Sequence, residues 1–196
     1  MTRFCWLALA VALAAGRPAA AVEEPLIGQF LVAAPEMADP RFVESVVYIT
    51  AHAPSGAVGL VINHPVAEGP LADLLKAVGE SGEEAKGNVA IHFGGPVDPD
   101  RLLVLHSNDY AGKATTFVGN GLGVTSDVDI LKALARGKGP RQKLLLFGYA
   151  GWGPGQLEAE LKSNAWFVVP ADSALIFGPE PEKKWERALA KRKFKT

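Results

Sequence analysis

The 196-residue chain has one cysteine, Cys5. A single thiol excludes an internal disulfide framework and any cysteine-rich zinc site. No apolar run is long enough to span a bilayer: the longest, Phe4 to Ala15, holds twelve residues, and a spanning helix needs about 20. No sign of charge dominates, since the net charge is −1, so the global balance does not ask for nucleic acid. The chain also lacks a G-x-S-x-G elbow, a phosphate loop with its lysine and an H-E-x-x-H pair. There is no internal repeat and no linker long enough to divide the body. What remains is an ordinary globular composition, 48% hydrophobic and 21% charged, of a length that suits one domain.

Residues 1–21 stand apart. Arg3 precedes the apolar run, and Gly16, Arg17 and Pro18 lead into the small triplet Ala19-Ala20-Ala21. That is the layout of a cleavable secretory signal with an A-x-A site. A buried first helix fits less well, because the run is apolar on every face. Cys5 lies at the start of the run, not after it, and cannot serve as a lipid-accepting cysteine. Cleavage after Ala21 leaves a thiol-free product beginning at Val22, which suits an oxidising compartment. The expectation is a periplasmic protein; the alternative is a cytoplasmic one in which residues 1–21 are not a signal.

Three segments follow from this reading: the signal 1–21, a body 22–180 and a basic tail 181–196. The body carries eleven Lys/Arg against nineteen Asp/Glu, the tail seven against two. In the body, Leu26–Ala33, Ser45–His52, Ala57–Asn63, Val89–Phe93, Leu102–His106, Thr115–Val118, Gly121–Val124, Lys143–Tyr149 and Ala165–Val169 read as strands, from β-branched, aromatic and apolar content between turn signals. Pro65 is expected to stop the third strand and Asp98-Pro99-Asp100 to turn the chain. Asn120-Gly121 reads as a type I′ hairpin turn. Leu71–Val78, Ser126–Ala135, Gln156–Lys162 and Glu182–Lys193 read as helices, with Asp39-Pro40 and Asp172–Phe177 as short helical turns. Hairpins outnumber crossovers, so the fold class is α+β with a mixed, largely antiparallel sheet.

An ordered set of motifs is more specific. SVVYITAH and GAVGLVIN precede HFGGPV at 92–97; LH at 105–106, FGYAGWGPGQLEAEL at 147–161 and NAW at 164–166 follow. Together they resemble the YqgE/AlgH family over about Leu26 to Phe177. The resemblance implies a bifurcated sheet folded into a pseudo-barrel with flanking helices. Members are often labelled transcriptional regulators, and no established catalytic activity comes with the family. An export signal ahead of the family domain is a departure that argues against the regulator label here.

Gly148, Gly151, Gly153 and Gly155 crowd a strand-to-helix connection. A helix N-terminus can hold an anion. Glu158 and Glu160 already complement that dipole and would repel a phosphate, so a tight connection with Trp152 on the sheet and Gln156 capping is the favoured reading. His52, His64, His92 and His106 lie near strand ends without ligand spacing. A hydrolase using Ser45, Ser107 or Thr125 beside His52 or His106 remains a third reading. Gly94-Gly95-Pro96 is expected to turn the chain where the sheet bends. No catalytic, cofactor or metal residue is assigned. If a ligand pocket exists, it is expected where His52, Asn63, Gly95, His106, Trp152 and Gln156 gather. The tail is expected to dock through Trp185, with weak membrane-surface contact through residues 183–195 as the alternative. Direct DNA binding is not expected, because an acidic body is repelled. The function expected is non-enzymatic: binding or regulation in the cell envelope, through a protein partner or a small ligand.

Overall fold

The computed structural model describes residues 25–192; the expected signal segment lies outside them. Ten strands, β1 Gln29–Ala33, β2 Val46–Ala53, β3 Gly56–Val61, β4 Pro65–Pro70, β5 Asn88–Phe93, β6 Val97–Ser107, β7 Thr115–Val118, β8 Leu122–Thr125, β9 Lys143–Trp152 and β10 Trp166–Pro170, form one sheet. Five short helices flank it: α1 Leu71–Ala77, α2 Asp129–Ala135, α3 Gln156–Lys162, α4 Ser173–Phe177 and α5 Lys184–Leu189. The main strand order is β10-β1-β2-β3-β9-β6-β8-β7, and β5 with β4 branches off at β9. The mixed, largely antiparallel sheet is the one the α+β reading expected, and it curls into a half-barrel, as the family resemblance implied.

Strands β1 to β3 are apolar on both faces because both faces are covered. Phe30, Val32, Val46, Tyr48, Leu60 and Ile62 point into the inner core, with α4 and α5 packed there. Their alternates Leu31, Ala33, Val47, Ile49 and Val61 meet α3 and Phe42 outside. This is why the sequence shows runs where a one-sided sheet would alternate. A third cluster joins Leu71, Leu74 and Leu75 of α1 and Ile130 and Leu131 of α2 to Val104 and Leu145. Each fully buried side chain of this size contributes about 1.5–3 kcal/mol.

β9 is where the sheet forks. Its residues 145–147 pair in parallel with β5, and its residues 150–152 pair antiparallel with β3. β6 occupies the opposite edge. The chains pass so closely here that a side chain is excluded. A Cβ on Gly95 (φ +151°) would lie 2.0 Å from the Tyr149 carbonyl carbon, and one on Gly148 (φ +71°) 2.3 Å from the Gly95 oxygen. The motifs at 92–97 and 147–152 are thus two sides of one structural feature. The glycine-proline corner turns the chain at this bend, as expected.

Several expectations are corrected. Pro65 does not end the local strand structure: it starts β4, an exposed ribbon pairing only with β5, where proline at the first and last residue is tolerated. Asp98-Pro99-Asp100 lies inside β6, across a register shift between Val97 and Leu102. Gly151 and Trp152 belong to β9, whose partner β3 extends it beyond Tyr149. The β7–β8 connection has three residues, Gly119 to Gly121, with Asn120 left-handed at φ 63°. α2 starts at Asp129 rather than at Ser126, and Asp127 Oδ1 accepts from the Asp129 N–H. In the tail, Trp185 donates to the Ala33 carbonyl at 2.9 Å, which docks α5 on β1.

Candidate functional site

Three of the six expected pocket residues meet at the outer corner of the sheet. His52, Ala57 and Trp152 are consecutive partners across β2, β3 and β9, so they share one face. α3 lies over that face. His52 Nδ1 accepts from the Leu26 N–H at 3.1 Å, which places the ring proton on Nε2. Nε2 then donates to Glu158 Oε1 at 2.9 Å, and this bond holds the Glu158 carboxyl below its ordinary pKa. Beside it, Glu160 Oε2 accepts from the indoles of both Trp152 and Trp166, each at 2.8 Å. Gln156 donates to Glu160 Oε1 at 2.9 Å and accepts from the Gly153 N–H at 3.1 Å. Phe42 stacks on Trp152 and meets Trp166 edge-on. The carboxylates are therefore spent on binding α3 to the sheet.

The other three expected residues sit elsewhere, each with its own structural partners. Asn63, buried at 7% exposure, accepts from the Val46 N–H and donates to the Glu44 carbonyl, both at 2.8 Å, pinning the turn in which Glu44 takes φ 53°. Gly95 is packed into the fork. His106 is fully buried; its Nδ1–H donates to the Ser107 carbonyl, so its Nε2 accepts from the Thr125 hydroxyl at 2.8 Å. Thr125 in turn takes the Thr115 hydroxyl at 2.6 Å, and Thr115 accepts from the Gly112 N–H. The six residues do not form one pocket, because strand pairing sends their side chains to different clusters.

The same contacts bear on hydrolytic chemistry. Thr125 has the base beside it that a nucleophile needs, but it is 1% exposed and its hydrogen bonds are filled. Ser45 lies 3.4 Å from His64 Nε2 and is sealed at 0%. Ser107 donates to Asp109, and that bond, with Arg141, holds the Asp109 carboxyl down to about 2. Among the described residues, no group of three or more His, Cys, Asp or Glu side chains is placed to hold a metal ion.

Concave space lies elsewhere. A cavity of about 330 Å³ opens on the inner face of the half-barrel, between β2–β3 and β7–β8. Val58, Leu60, Leu103 and Val124 wall it, the hydroxyls of Thr50, Thr116 and Ser126 line it, and among the described residues Arg101 is the one charged residue in its lining. The Tyr48 hydroxyl donates to the Gly119 carbonyl at 2.5 Å and Asn120 to the Gly28 carbonyl at 2.6 Å, bringing the β7–β8 turn onto the start of β1. Burial pushes the Tyr48 phenol up to about 12. Sequence reading missed this cavity, since its only local trace is the alternation of Thr116 and Val118 with Thr115 and Phe117 along β7. A second cavity, of about 310 Å³, lies beside β5 and includes His92.

These features define an α+β half-barrel protein built on a forked sheet, with a cavity in the curl of the sheet where small β-barrels commonly hold ligands. The AlgH-like family model matches residues 30–196, and the chain belongs to that family. A UPF0301 protein of Methylococcus capsulatus is 48% identical over 83% of this chain and 88% of its own length. One from Cereibacter sphaeroides is 47% identical over 84% and 90%. Among solved structures, the AlgH protein from Pseudomonas aeruginosa superposes with a TM-score of 0.75 at 39% identity, covering 88% of this chain and 92% of that one. A Corynebacterium diphtheriae protein at 22% identity, TM-score 0.65, shares the fold.

Proposed function

We propose that this protein is a non-enzymatic binding protein of the cell envelope, exported by its first 21 residues, that takes a small apolar ligand bearing one acidic group into the half-barrel. The cavity carries the reading. It is large enough for a small organic molecule, has mostly apolar walls and a few hydroxyls, and offers a single cation, Arg101. Arg101 is weakly committed, since Asp98 stands 3.9 Å away. The non-enzymatic part is supported by the sealed state of Thr125 and Ser45, the two hydroxyls nearest a histidine. Export is supported by the sequence pattern of residues 1–21, which precede the residues matched to the family. A ligand in the cavity would leave the α3 corner untouched, which fits a scaffold that binds by shape.

Two measurements test it. Anilinonaphthalene sulfonate, an apolar body with one anionic group, should gain fluorescence with the folded protein. Arg101→Ala and Thr116→Trp, the latter filling the cavity from an exposed strand position, should each weaken that binding. Unchanged binding in both variants removes the cavity from the reading. Fractionation with intact mass should give a periplasmic product beginning at Val22. A full-length cytoplasmic product overturns export and favours an intracellular regulator acting through protein partners.

A further inference from the structure

β7 ends the main strand order, so among the described residues it has one strand neighbour, β8. Its hydrogen bonding follows from that pairing. The Ser126 N–H donates to the Ala114 carbonyl, and along an antiparallel ladder the residues that exchange bonds alternate. Thr116 and Val118 therefore turn their backbone groups to β8, while those of Thr115, Phe117 and Gly119 face away from it. Gly119 bears this out, since its carbonyl takes the Tyr48 hydroxyl from across the curl of the sheet. The Thr115 N–H is used locally, by the Gly112 carbonyl. The N–H and carbonyl of Phe117 meet no other strand among the described residues. The Phe117 ring, 57% exposed, stands beside them on the face of the sheet away from the cavity.

The half-barrel cavity lies against this same edge. Thr116 and Val118 of β7 turn into it, and Thr50 and Ala51 of β2 border it from across the curl. There β2 runs past its neighbour: β1 pairs with it up to Tyr48, and residues 51–53 pair with β3 alone. The seam between β2 and β7 is pinned at one end, where Tyr48 donates to Gly119 and Asn120 to Gly28. Arg101 lies towards the other end. It precedes Val104 by three residues on β6, Val104 pairs with Thr125, and Thr125 pairs with Thr115. One edge strand thus offers free backbone groups, an apolar hollow on one face, an exposed ring on the other and a cation at one end. Strand edges are commonly guarded by charge or proline, and the TTFV sequence of β7 has neither.

We propose that β7 and the half-barrel cavity together bind the C-terminal end of a polypeptide, added to the sheet as an antiparallel strand. On the cavity reading, on which this rests, the apolar body is the last side chain and the acidic group is the terminal carboxylate. With the last residue opposite Thr116, its side chain shares the face of Thr116 and enters the cavity. The residue before it stands opposite Phe117, exchanges both backbone hydrogen bonds with it and lays its side chain beside the exposed ring. Direction follows from charge. An antiparallel strand runs towards Thr115, so its carboxylate arrives at the Arg101 end; a parallel strand would carry it to the pinned end. An internal segment would bring no charge to the one cation in the lining. The main-chain bonds supply affinity, and the cavity selects the last side chain.

The test uses the purified protein and three forms of one fluorescein-labelled peptide ending in valine and leucine: the free acid, the C-terminal amide, and the free acid methylated on the valine nitrogen. By fluorescence anisotropy the free acid should bind at least about tenfold more tightly than either other form. The amide lacks the charge for Arg101, and the methylated form lacks the N–H for the Phe117 carbonyl. Arg101→Ala should erase the preference for acid over amide, and in hydrogen exchange the bound acid should protect the Phe117 N–H. Equal binding of acid and amide overturns the C-terminal assignment. Equal binding of acid and methylated acid, or a Phe117 N–H left unprotected by bound peptide, overturns strand addition. A concentration-dependent dimer in sedimentation that excludes the peptide gives the edge to a second copy and overturns the proposal as well. Anilinonaphthalene sulfonate separates this failure from that of the cavity reading. Arg101-dependent binding of the sulfonate without peptide binding sinks the strand and leaves the cavity reading standing; loss of both sinks both.

Discussion

The α3 corner and the wall beside β5 both bury a histidine, yet they treat hydrogen-bonding capacity in opposite ways. At the corner, His52 has a partner on each nitrogen, Glu160 takes two indoles and an amide, and Gln156 closes the loop before its own helix. Beside β5, His92 Nδ1 is buried without a hydrogen-bond partner, and the Lys184 ammonium meets two carbonyls and, among the described residues, no carboxylate. A closed network is worth stability, because every group removed leaves another stranded. An open one costs stability. The corner with the more conspicuous residues is structural, and the quieter wall keeps a buried nitrogen and a buried charge without such partners.

Four experiments sharpen or break that contrast. The largest effect belongs to the fork that separates the two regions: Gly95→Ala puts a methyl group into the Tyr149–Ala150 backbone and should cost at least about 4 kcal/mol, read as loss of a cooperative thermal transition. Next, Glu160→Ala strands two indole N–H groups and should cost about 3 kcal/mol in urea unfolding. An effect below about 1 kcal/mol would mean that the corner is not the closed network described.

The third concerns the open wall. Burial pushes the Lys184 ammonium down to about 8. Its folded pKa is below its unfolded one, so between those values the unfolded chain binds more protons, and stability rises with pH. The penalty is fully present below about pH 8. Unfolding midpoints should therefore climb from pH 8 to pH 10, by about 2 kcal/mol, and Lys184→Met should flatten the climb. Above pH 10 Tyr48 acts in the opposite sense. Its folded pKa is raised to about 12, so the unfolded chain loses the proton first and stability falls. The smallest effect is at the rim of the corner: Glu158→Gln weakens a partly exposed contact to His52 and should cost under about 1 kcal/mol, detectable in a double-mutant cycle with His52.

Much of the fold was legible in the residues. β1, β2, β3 and β9 are continuous apolar or β-branched runs, and both of their faces are in fact covered. The HFGGPV and FGYAGW motifs carried the family resemblance, and the glycine corner was read as a bend. β4 was not legible, because PVAEGP has no apolar pattern and is held by pairing with β5. The parallel β5–β9 pairing was not legible either, since adjacent strands in sequence usually form hairpins. At the α3 corner, His52, Trp152 and Gln156 were anticipated, but the two glutamates that occupy them were assigned to the helix dipole. Lys184 was counted only among the cations of a basic tail; α5 is anchored by Trp185, and that docking turns the adjacent lysine into the core.

The sequence by itself determined the class of most segments, the glycine bends, and the family. These follow from local geometry: a β-branched run extends, and a glycine alone accepts φ near +71° beside another backbone. Only the tertiary structure decided which polar atoms are satisfied. His106 and His92 are both strand histidines before a turn, and nothing local distinguishes them. One meets Thr125 from a strand 19 residues away; the other leaves its Nδ1 buried without a hydrogen-bond partner. Hydrogen-bond satisfaction is a property of neighbours brought from far along the chain, so it emerges only once the sheet has forked.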